Sequence, residues 1–298
     1  MGLFARKTTT ADPYLPELSG KQADKLRQLS IAVLGRLGVT ATAAGDHLAV
    51  SEGRKFGLFA VARKAAALPE QGWEGMAEEH FGAVVRGAAG GPDIPAAELL
   101  NRVYPKIIAP EALAYTQQTD PSRYAYARDA AMMPLLLALD SPESVSYLGA
   151  PQIDSAGGAD LVWDAALRNL LAAGPGAPEE LSIEGGSFLV FETESVYQSS
   201  WLAYPDRLME LLGHKAGPLG ALLSIPAANI LCLHLVTPAT GVNDISAILR
   251  FTGVMHAQHP SALSPLLYWW EGTTVQPISG HDGERVHLFV PDELASIL

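Results

Sequence analysis

Eight side chains have residue types that bind ligands or partners, and all of them fall between residues 192 and 270. They are Glu192, Glu194, Tyr197, Trp201, His234, Asp244, Trp269 and Trp270. Carboxylates and histidine transfer protons when they are held near a reacting group, whereas tyrosine and tryptophan provide contact area for a partner. We take these eight as candidate ligand or partner contacts and assign none of them a catalytic role.

The two glutamates are two positions apart in the sequence. If a strand continues through Glu192 and Glu194, both carboxylates lie on one side of it, which suits acid and base chemistry. Glu194 also fits the entry to a helix, where the positive helix end stabilises a negative charge. We favour the helix entry, and the carboxylate pair stays as the alternative.

The aromatic residues admit two interpretations as well. Trp269 and Trp270 are adjacent, and neighbouring residues of a strand face opposite sides, so one of the two is expected to be only partly buried. An exposed tryptophan there would mark a contact surface, together with Tyr197 and Trp201 on the preceding helix. Packing in the core is the favoured alternative, because large aromatic side chains supply much of the buried area in such cores.

Metal and nucleotide sites need residue patterns that are weak or missing in this sequence. Cys232 is the only cysteine and lies in an apolar run, which predicts a buried, unreactive thiol. His256 and His259 have a spacing that places them on one side of a helix, but histidines in a last helical turn are stabilised by the helix dipole without a metal. The Gly185-Gly186 pair lacks the lysine and hydroxyl residues of nucleotide-binding loops. We therefore predict no metal and no cofactor.

These candidates have to be positioned by an α+β fold. Ser19 and Gln22 have the spacing of a capping box, and apolar residues follow at helical intervals. We predict a flexible N-terminal arm at 1–18, a small α+β domain at 19–86 in which a helix and a hairpin precede further helices, and a linker rich in glycine and proline at 87–95. A larger α+β domain then occupies 96–298, with helices packed on an antiparallel or mixed sheet.

The elements of the larger domain are predicted from apolar periodicity and turn residues. Strands are expected at 106–109, 124–127, 135–139, 187–192, 219–225, 229–236, 266–271 and 286–290. Helices are expected at 159–173, 196–212 and 244–256. Ser195 and Gln198 repeat the capping-box spacing at the start of the second of these helices.

Composition restricts the class of partner. The formal net charge of −12 repels phosphate backbones and anionic membrane surfaces, so we expect neither nucleic acid nor a membrane as a partner. Apolar runs are far shorter than the ~20 residues that span a bilayer. With one cysteine and no apolar signal segment, the sequence predicts a cytoplasmic protein. A homo-oligomer formed through an edge strand is a further possibility.

The order of segments resembles the YtpQ-like family, catalogued as domain of unknown function 1444. The segments that carry the resemblance are NRVYPKII at 101–108, LVWDAALRNL at 161–170, GSFLVF at 186–191, YQSSWL at 197–202, LSIPAANIL at 223–231 and LLYWWEG at 266–272. The likeness covers roughly residues 20 to 278. The chain departs from the family after Pro226, where Ala227 and Ala228 replace a charged pair. Because the family has no established activity, the resemblance implies a fold and no mechanism.

Together these observations predict a non-catalytic module that binds a macromolecule, most simply another protein, through an acidic surface or an exposed aromatic edge. An immunity-like protein that neutralises a basic partner is one concrete form. The alternative is a hydrolase or small-molecule-binding protein whose site is assembled from distant residues. Its candidates are Glu192, Glu194, Tyr197, His234 and Asp244.

Overall fold

The computed structural model describes residues 11–50, 55–88, 94–119, 122–141, 144–214, 219–259, 261–282 and 285–295. The chain has an α+β fold and divides into two compact units, Met1–Asp93 and Ile94–Leu298. The division falls inside the segment 87–95 that we predicted as a linker, of which 89–93 lie outside the described residues.

The first unit packs three α-helices against a small antiparallel sheet. Its elements are α1 (Gly20–Arg36), β1 (Ala41–Ala44), β2 (His47–Val50), β3 (Lys55–Gly57), α2 (Phe59–Ala66), a 3₁₀ turn (Glu70–Gly72) and α3 (Trp73–Ala88). The predicted capping box opens α1, because Ser19 N donates to Gln22 Oε1 at 3.1 Å and Gln22 N donates to Ser19 Oγ at 3.4 Å. The predicted hairpin is also present as β1 and β2.

Order in the first unit begins before Ser19. Residues 11–18 belong to the segment that we predicted as a flexible arm, yet Leu15 and Leu18 are buried in the core of this unit. Asp12 N also donates to the Leu18 carbonyl at 2.9 Å, which closes the segment into a loop. Periodicity could not show this, because the segment forms no regular element and is held instead by contacts with α1.

The main polar contact of this loop is the ion pair of Asp12 with Arg27. Arg27 Nη2 donates to Asp12 Oδ1 at 2.7 Å and Nη1 donates to Oδ2 at 3.0 Å. Tyr14 N and Leu15 N also donate to Oδ1. The guanidinium and these backbone donors, acting against burial, hold the pKa of Asp12 below its ordinary value. The ionised carboxylate therefore stabilises the folded unit.

We expect Asp12→Asn to lower the free energy of unfolding of the first unit by about 1.5 to 3 kcal/mol at pH 7, because hydrogen bonds to a charged group are lost. Because folding lowers the pKa of Asp12, its ionised carboxylate stabilises the folded state fully above the pKa that Asp12 has in the unfolded chain. This stabilisation is lost as the pH falls through the lower pKa of the folded state. The difference between wild type and variant should therefore shrink below about pH 4. Hydrogen exchange of the α1 amides at several pH values measures it.

Asp24→Asn is the matched control, because Asp24 bonds the same guanidinium at 3.0 Å but is exposed. Exposed ion pairs contribute about 0 to 1 kcal/mol, so this variant should stay close to wild type at every pH. An equal loss in both variants would contradict the role given to Asp12.

The second unit contains the remaining elements. They are α4 (Ala96–Arg102), β4 (Val103–Ile107), α5 (Pro110–Thr119), β5 (Arg128–Ala130), β6 (Met133–Ser141), β7 (Ser144–Tyr147), α6 (Ala150–Ser155), α7 (Ala159–Ala173), β8 (Glu179–Ile183), β9 (Gly186–Glu192), a 3₁₀ helix (Gln198–Ala203), α8 (Pro205–Leu212), β10 (Ala221–Ala227), β11 (Ile230–Leu235), α9 (Val242–Gln258), β12 (Leu267–Trp270), β13 (Val275–Pro277), β14 (Ser279–Asp282), β15 (Arg285–Leu288) and α10 (Asp292–Ala295).

Three antiparallel sheets organise the described residues of this unit. The largest has six strands in the order β13-β12-β10-β11-β9-β8, the second has β4-β6-β5 with β7 also paired to β6, and β14 pairs with β15. The large sheet is buried on both faces: Leu222 points into the core beneath α9, and Leu223 points into the core shared with β4, β6 and α7. Burial on both faces explains why β10 is apolar at every position except Ser224.

Two predicted elements of the second unit differ in the structure. Residues 124–127, predicted as a strand, lie mainly in turns. The predicted helix 196–212 is divided into the 3₁₀ helix and α8 at Pro205, whose ring blocks a helix interior but suits a first helical turn. The second capping box does not form either, because Ser195 Oγ accepts from Tyr197 N at 3.3 Å. Helix α7 has the predicted bounds.

Candidate functional site

Tyr197 lies in a buried polar cluster formed with β4 and β6. Its hydroxyl donates to Asp140 Oδ1 at 2.8 Å, and its ring stacks on Tyr104 with centroids 4.5 Å apart. Burial, the hydrogen bond to Asp140 and the negative charge of that residue raise the pKa of Tyr197 well above its ordinary value. Tyr197 therefore keeps its proton at neutral pH and orders the cluster as a hydrogen-bond donor.

Lys106 completes this cluster and was not among the predicted site residues. Its Nζ donates to the Val196 carbonyl at 2.8 Å and lies 5.6 Å from the centroid of the Tyr197 ring. Burial lowers the pKa of Lys106 to about 8, so a fraction of the amine is neutral near physiological pH. The sequence signal for it was a lysine inside the strand pattern Val103–Ile107, where buried charges are rare.

The three tryptophans are core residues. Trp201 is fully buried, and Trp269 and Trp270 are each 5% exposed. The expectation that one of the adjacent pair is only partly buried is therefore wrong, because both faces of the large sheet are covered. Trp269 Nε1 donates to the Leu219 carbonyl at 2.9 Å, whereas Trp201 Nε1 has no hydrogen-bond partner within the described residues.

His234 and Asp244 come together on the backbone of Ser187. Asp244 Oδ1 accepts from Ser187 N and its Oδ2 accepts from Gly241 N, both at 2.9 Å, which caps α9 and attaches it to β9. Burial would raise the pKa of Asp244, but these two donors and nearby His234 hold it below the ordinary value. Asp244 thus supplies the side-chain contacts at the start of this helix.

The bonds of His234 define its tautomer. Nδ1 lies 2.8 Å from the Ser187 carbonyl, which only accepts, so Nδ1 carries the proton. Nε2 lies 2.9 Å from Thr240 Oγ1, and the same oxygen accepts from Thr237 N. Both ring nitrogens are thus engaged in holding a loop, and the imidazole is not directed at a ligand.

The two predicted glutamates lie on the surface at the β8 end of the large sheet. β9 ends at Glu192, and Glu194 follows in a bend ahead of the 3₁₀ helix, so the two are neither a strand pair nor a helix entry. Glu179 and Glu180 begin β8, and Glu179 is opposite Val190. We call these four exposed residues the acidic edge: Glu179, Glu180, Glu192 and Glu194.

The acidic edge differs from most other glutamates in the described part of the chain. Glu74, Glu98 and Glu210 each pair with an arginine. No ion pair within the described residues involves any member of the acidic edge. Glu179 lies opposite Val190, so Glu192 is its diagonal neighbour on β9. Diagonal neighbours on paired strands are about 7 to 8 Å apart, and the Debye length is about 8 Å at physiological salt, so the charges of these two residues reinforce one another.

A cleft of about 480 Å³ lies at the opposite side of the same sheet, next to β12 and β13. Its walls come from β5, the end of the 3₁₀ helix, the start of α8 and the turn between β12 and β13. The lining residues with ionisable or large side chains are Asp129, Leu202, Pro205, Asp206, Trp270 and Val275. Of the eight predicted contacts, Trp270 alone lines this cleft.

The five residues predicted to form a hydrolase or small-molecule site do not come together in the structure. Tyr197 bonds Asp140, His234 and Asp244 bond the Ser187 backbone, and the two glutamates are exposed. Among the residues that the structure describes, no group of three His, Cys, Asp or Glu side chains could hold a metal ion. Cys232 is buried, as predicted, and burial raises the pKa of its thiol to about 12.

Across the described ranges, no helix has both the length and the apolar character required to cross a bilayer.

Comparison of the chain with family models, with curated proteins and with solved structures found no match. The resemblance to the YtpQ-like family therefore stays a prediction.

Proposed function

We propose that this protein is a non-catalytic binding module that recognises a basic partner protein at the acidic edge. The observation that carries the proposal is the group of four exposed glutamates without ion-pair partners in the described part of the chain. A basic partner would relieve their mutual repulsion and would be steered towards them by the long-range field of a molecule with a formal net charge of −12. A cytoplasmic location belongs to the same proposal.

The backbone beside these charges supports this type of recognition. β8 ends the six-stranded sheet and pairs with β9 on one side, and its residues are exposed or half-buried. The outer side of an edge strand presents unpaired backbone groups, which an added strand from a partner can bond. Backbone hydrogen bonds alone would accept strands of many sequences, and the glutamates would restrict binding to basic strands.

The same charges oppose self-association at this edge. Two copies that paired through β8 would bring glutamates of one copy close to those of the other, and like charges on paired strands are destabilising. The acidic edge is therefore better suited to a hetero-complex than to the homo-oligomer considered from the sequence.

We expect the double variant Glu179→Lys with Glu192→Lys to weaken capture of a basic protein from cell extract about tenfold or more, because reversed charges repel a basic surface. Binding to wild type should also fail in 1 M salt, where the Debye length is about 3 Å. Quantitative affinity capture at low and high salt measures both effects.

Asp160→Lys with Asp164→Lys is the matched control, since these exposed α7 residues give the same change of net charge away from the acidic edge. Circular dichroism verifies that both double variants are folded. A partner that binds both variants equally, or whose binding persists undiminished in 1 M salt, would rule out the acidic edge as its site. Chemical-shift changes on adding a hexalysine peptide should centre on β8 and identify the edge independently of any extract.

A further inference from the structure

The hairpin of β14 and β15 carries exposed apolar side chains. Val286 is 46% exposed, Leu288 45% and Phe289 65%, so three of the four residues at 286–289 present large apolar groups to solvent. A hairpin of two strands is only marginally stable by itself, and an exposed apolar patch marks a contact surface. We propose that β15 pairs with β15 of a second copy of this chain, which joins two hairpins into one four-stranded antiparallel sheet.

The backbone of β15 has a free edge for this pairing. Among the described strands, β15 pairs with β14 alone. Phe289 N donates to the Ile278 carbonyl at 2.8 Å, so the N–H of Phe289 points to the β14 side. Because backbone groups of successive residues in a strand point to alternate sides, the N–H and C=O groups of Val286 and Leu288 point away from β14. They are therefore placed to bond a strand of another molecule.

The symmetry of a homodimer restricts the register of the two strands. A two-fold axis perpendicular to the sheet keeps every side chain on its own face, so even-numbered residues oppose even-numbered ones. With the axis at His287, Val286 lies opposite Leu288 of the second copy, and the reverse pair forms on the other side of the axis. An axis at Val286 or at Leu288 would leave one of these two residues opposite a position outside β15, which is Arg285–Leu288.

The register centred on His287 is complementary in both backbone and side chains. Val286 and Leu288 carry the outward backbone groups, so each of the two opposed pairs can exchange two hydrogen bonds. The same pairs place apolar side chains against each other, and such cross-strand contacts stabilise a sheet. On the other face, Phe289 becomes a diagonal neighbour of His287 of the second copy, which is within reach of an aromatic ring.

Charge also favours a second copy at this edge. No aspartate or glutamate lies between Val286 and Val290, although the chain has a formal net charge of −12. Pairing through β15 therefore opposes no carboxylates, whereas pairing through β8 would bring glutamates together. A basic partner of the kind proposed for the acidic edge would find no carboxylate to neutralise along this segment.

Sedimentation equilibrium of the full chain tests the proposal. The paired segments are short, so we expect a weak dimer with a Kd on the order of 10 to 100 μM. The average mass should approach twice that of the monomer by about 500 μM, in 1 M salt as well, because apolar contacts and backbone hydrogen bonds are not screened by salt. A monomeric mass over the whole range, or dissociation in 1 M salt, would overturn the proposal.

Substitutions of His287 test the register, because a residue at the two-fold axis faces its own counterpart. His287→Lys and His287→Glu should each weaken dimerisation about fivefold or more, since like charges directly opposite are destabilising. An equimolar mixture of H287K and H287E should recover the wild-type affinity, because opposite charges then face each other. Unchanged dimerisation in both single variants, or no recovery in the mixture, would contradict pairing about this axis.

His214→Lys and His214→Glu are the matched controls, because His214 is also exposed and follows α8, outside β15. Both should dimerise like wild type, and circular dichroism verifies that all four variants are folded. Equal weakening by substitutions at both positions would exclude β15 as the interface. β8 belongs to a different sheet, so H287K should still bind a basic partner and the Glu179→Lys with Glu192→Lys variant should still dimerise. This proposal and the proposed function can therefore fail separately.

Discussion

Alanine at position 220 should destabilise the second unit by about 2 to 5 kcal/mol. A Cβ atom at Gly220 would lie 1.7 Å from the Trp270 carbonyl oxygen and 2.8 Å from its carbonyl carbon, which are backbone atoms of the paired strand β12. Such an overlap forces β10 and β12 apart, at about 1 to 3 kcal/mol. Gly220 also has a φ of +69°, which costs an L-residue about 1 to 2 kcal/mol more.

Gly253→Ala is the matched control for this prediction. Gly253 is inside α9, and a Cβ there would meet nothing within 4 Å. Alanine should therefore stabilise the helix by about 0.5 to 1 kcal/mol, because glycine costs more backbone entropy than alanine on folding. Urea unfolding followed by circular dichroism measures both variants. A loss below about 1 kcal/mol for Gly220→Ala would contradict the close approach of the two strands.

Trp201→Ala should lower the free energy of unfolding of the second unit by about 3 to 5 kcal/mol. Trp201 is fully buried on the 3₁₀ helix, in the core between the two larger sheets of the unit. The helix is attached to β4 because Ser200 Oγ donates to the Pro105 carbonyl at 2.8 Å and accepts from Ile107 N at 3.3 Å. Since those contacts hold the helix, a truncated side chain leaves a cavity that the core cannot easily refill.

Trp201→Phe separates packing from hydrogen bonding. The indole nitrogen of Trp201 has no partner among the described residues, so phenylalanine removes area without breaking a bond, and we expect a loss of about 1 to 2 kcal/mol. In contrast, Trp269→Phe also leaves the Leu219 carbonyl without its donor at 2.9 Å and should cost more. Thermal unfolding of the three variants measures this order. A reversed order would show that Trp201 Nε1 is bonded in solution.

Local elements were predicted well where the deciding residues lie close together in the chain. Ser19 and Gln22 form the predicted capping box, β1 and β2 form the predicted hairpin, and α7 has the predicted bounds. Each depends on neighbours within about four positions, so composition and periodicity suffice. Pro205 was an equally local signal that the predicted helix 196–212 overlooked.

Side-chain environments were predicted less well because they depend on partners remote in sequence. Lys106 bonds Val196 across 90 positions, and Tyr197 bonds Asp140 across 57. Nothing near Tyr197 in the chain identifies Asp140 as its acceptor. Core packing of the tryptophan pair was favoured, but one of the two was expected to be only partly buried, because a single strand does not reveal whether its second face is covered.

The α+β class, the absence of a second cysteine and the acidic balance follow from the residues of this chain, since they require only composition and short-range pattern. The grouping of Glu179 and Glu180 with Glu192 and Glu194, and the cleft between Asp129 and Asp206, follow from three-dimensional packing. Strand order and helix placement depend on the total apolar area that the whole unit buries, and no short segment of the sequence specifies that area.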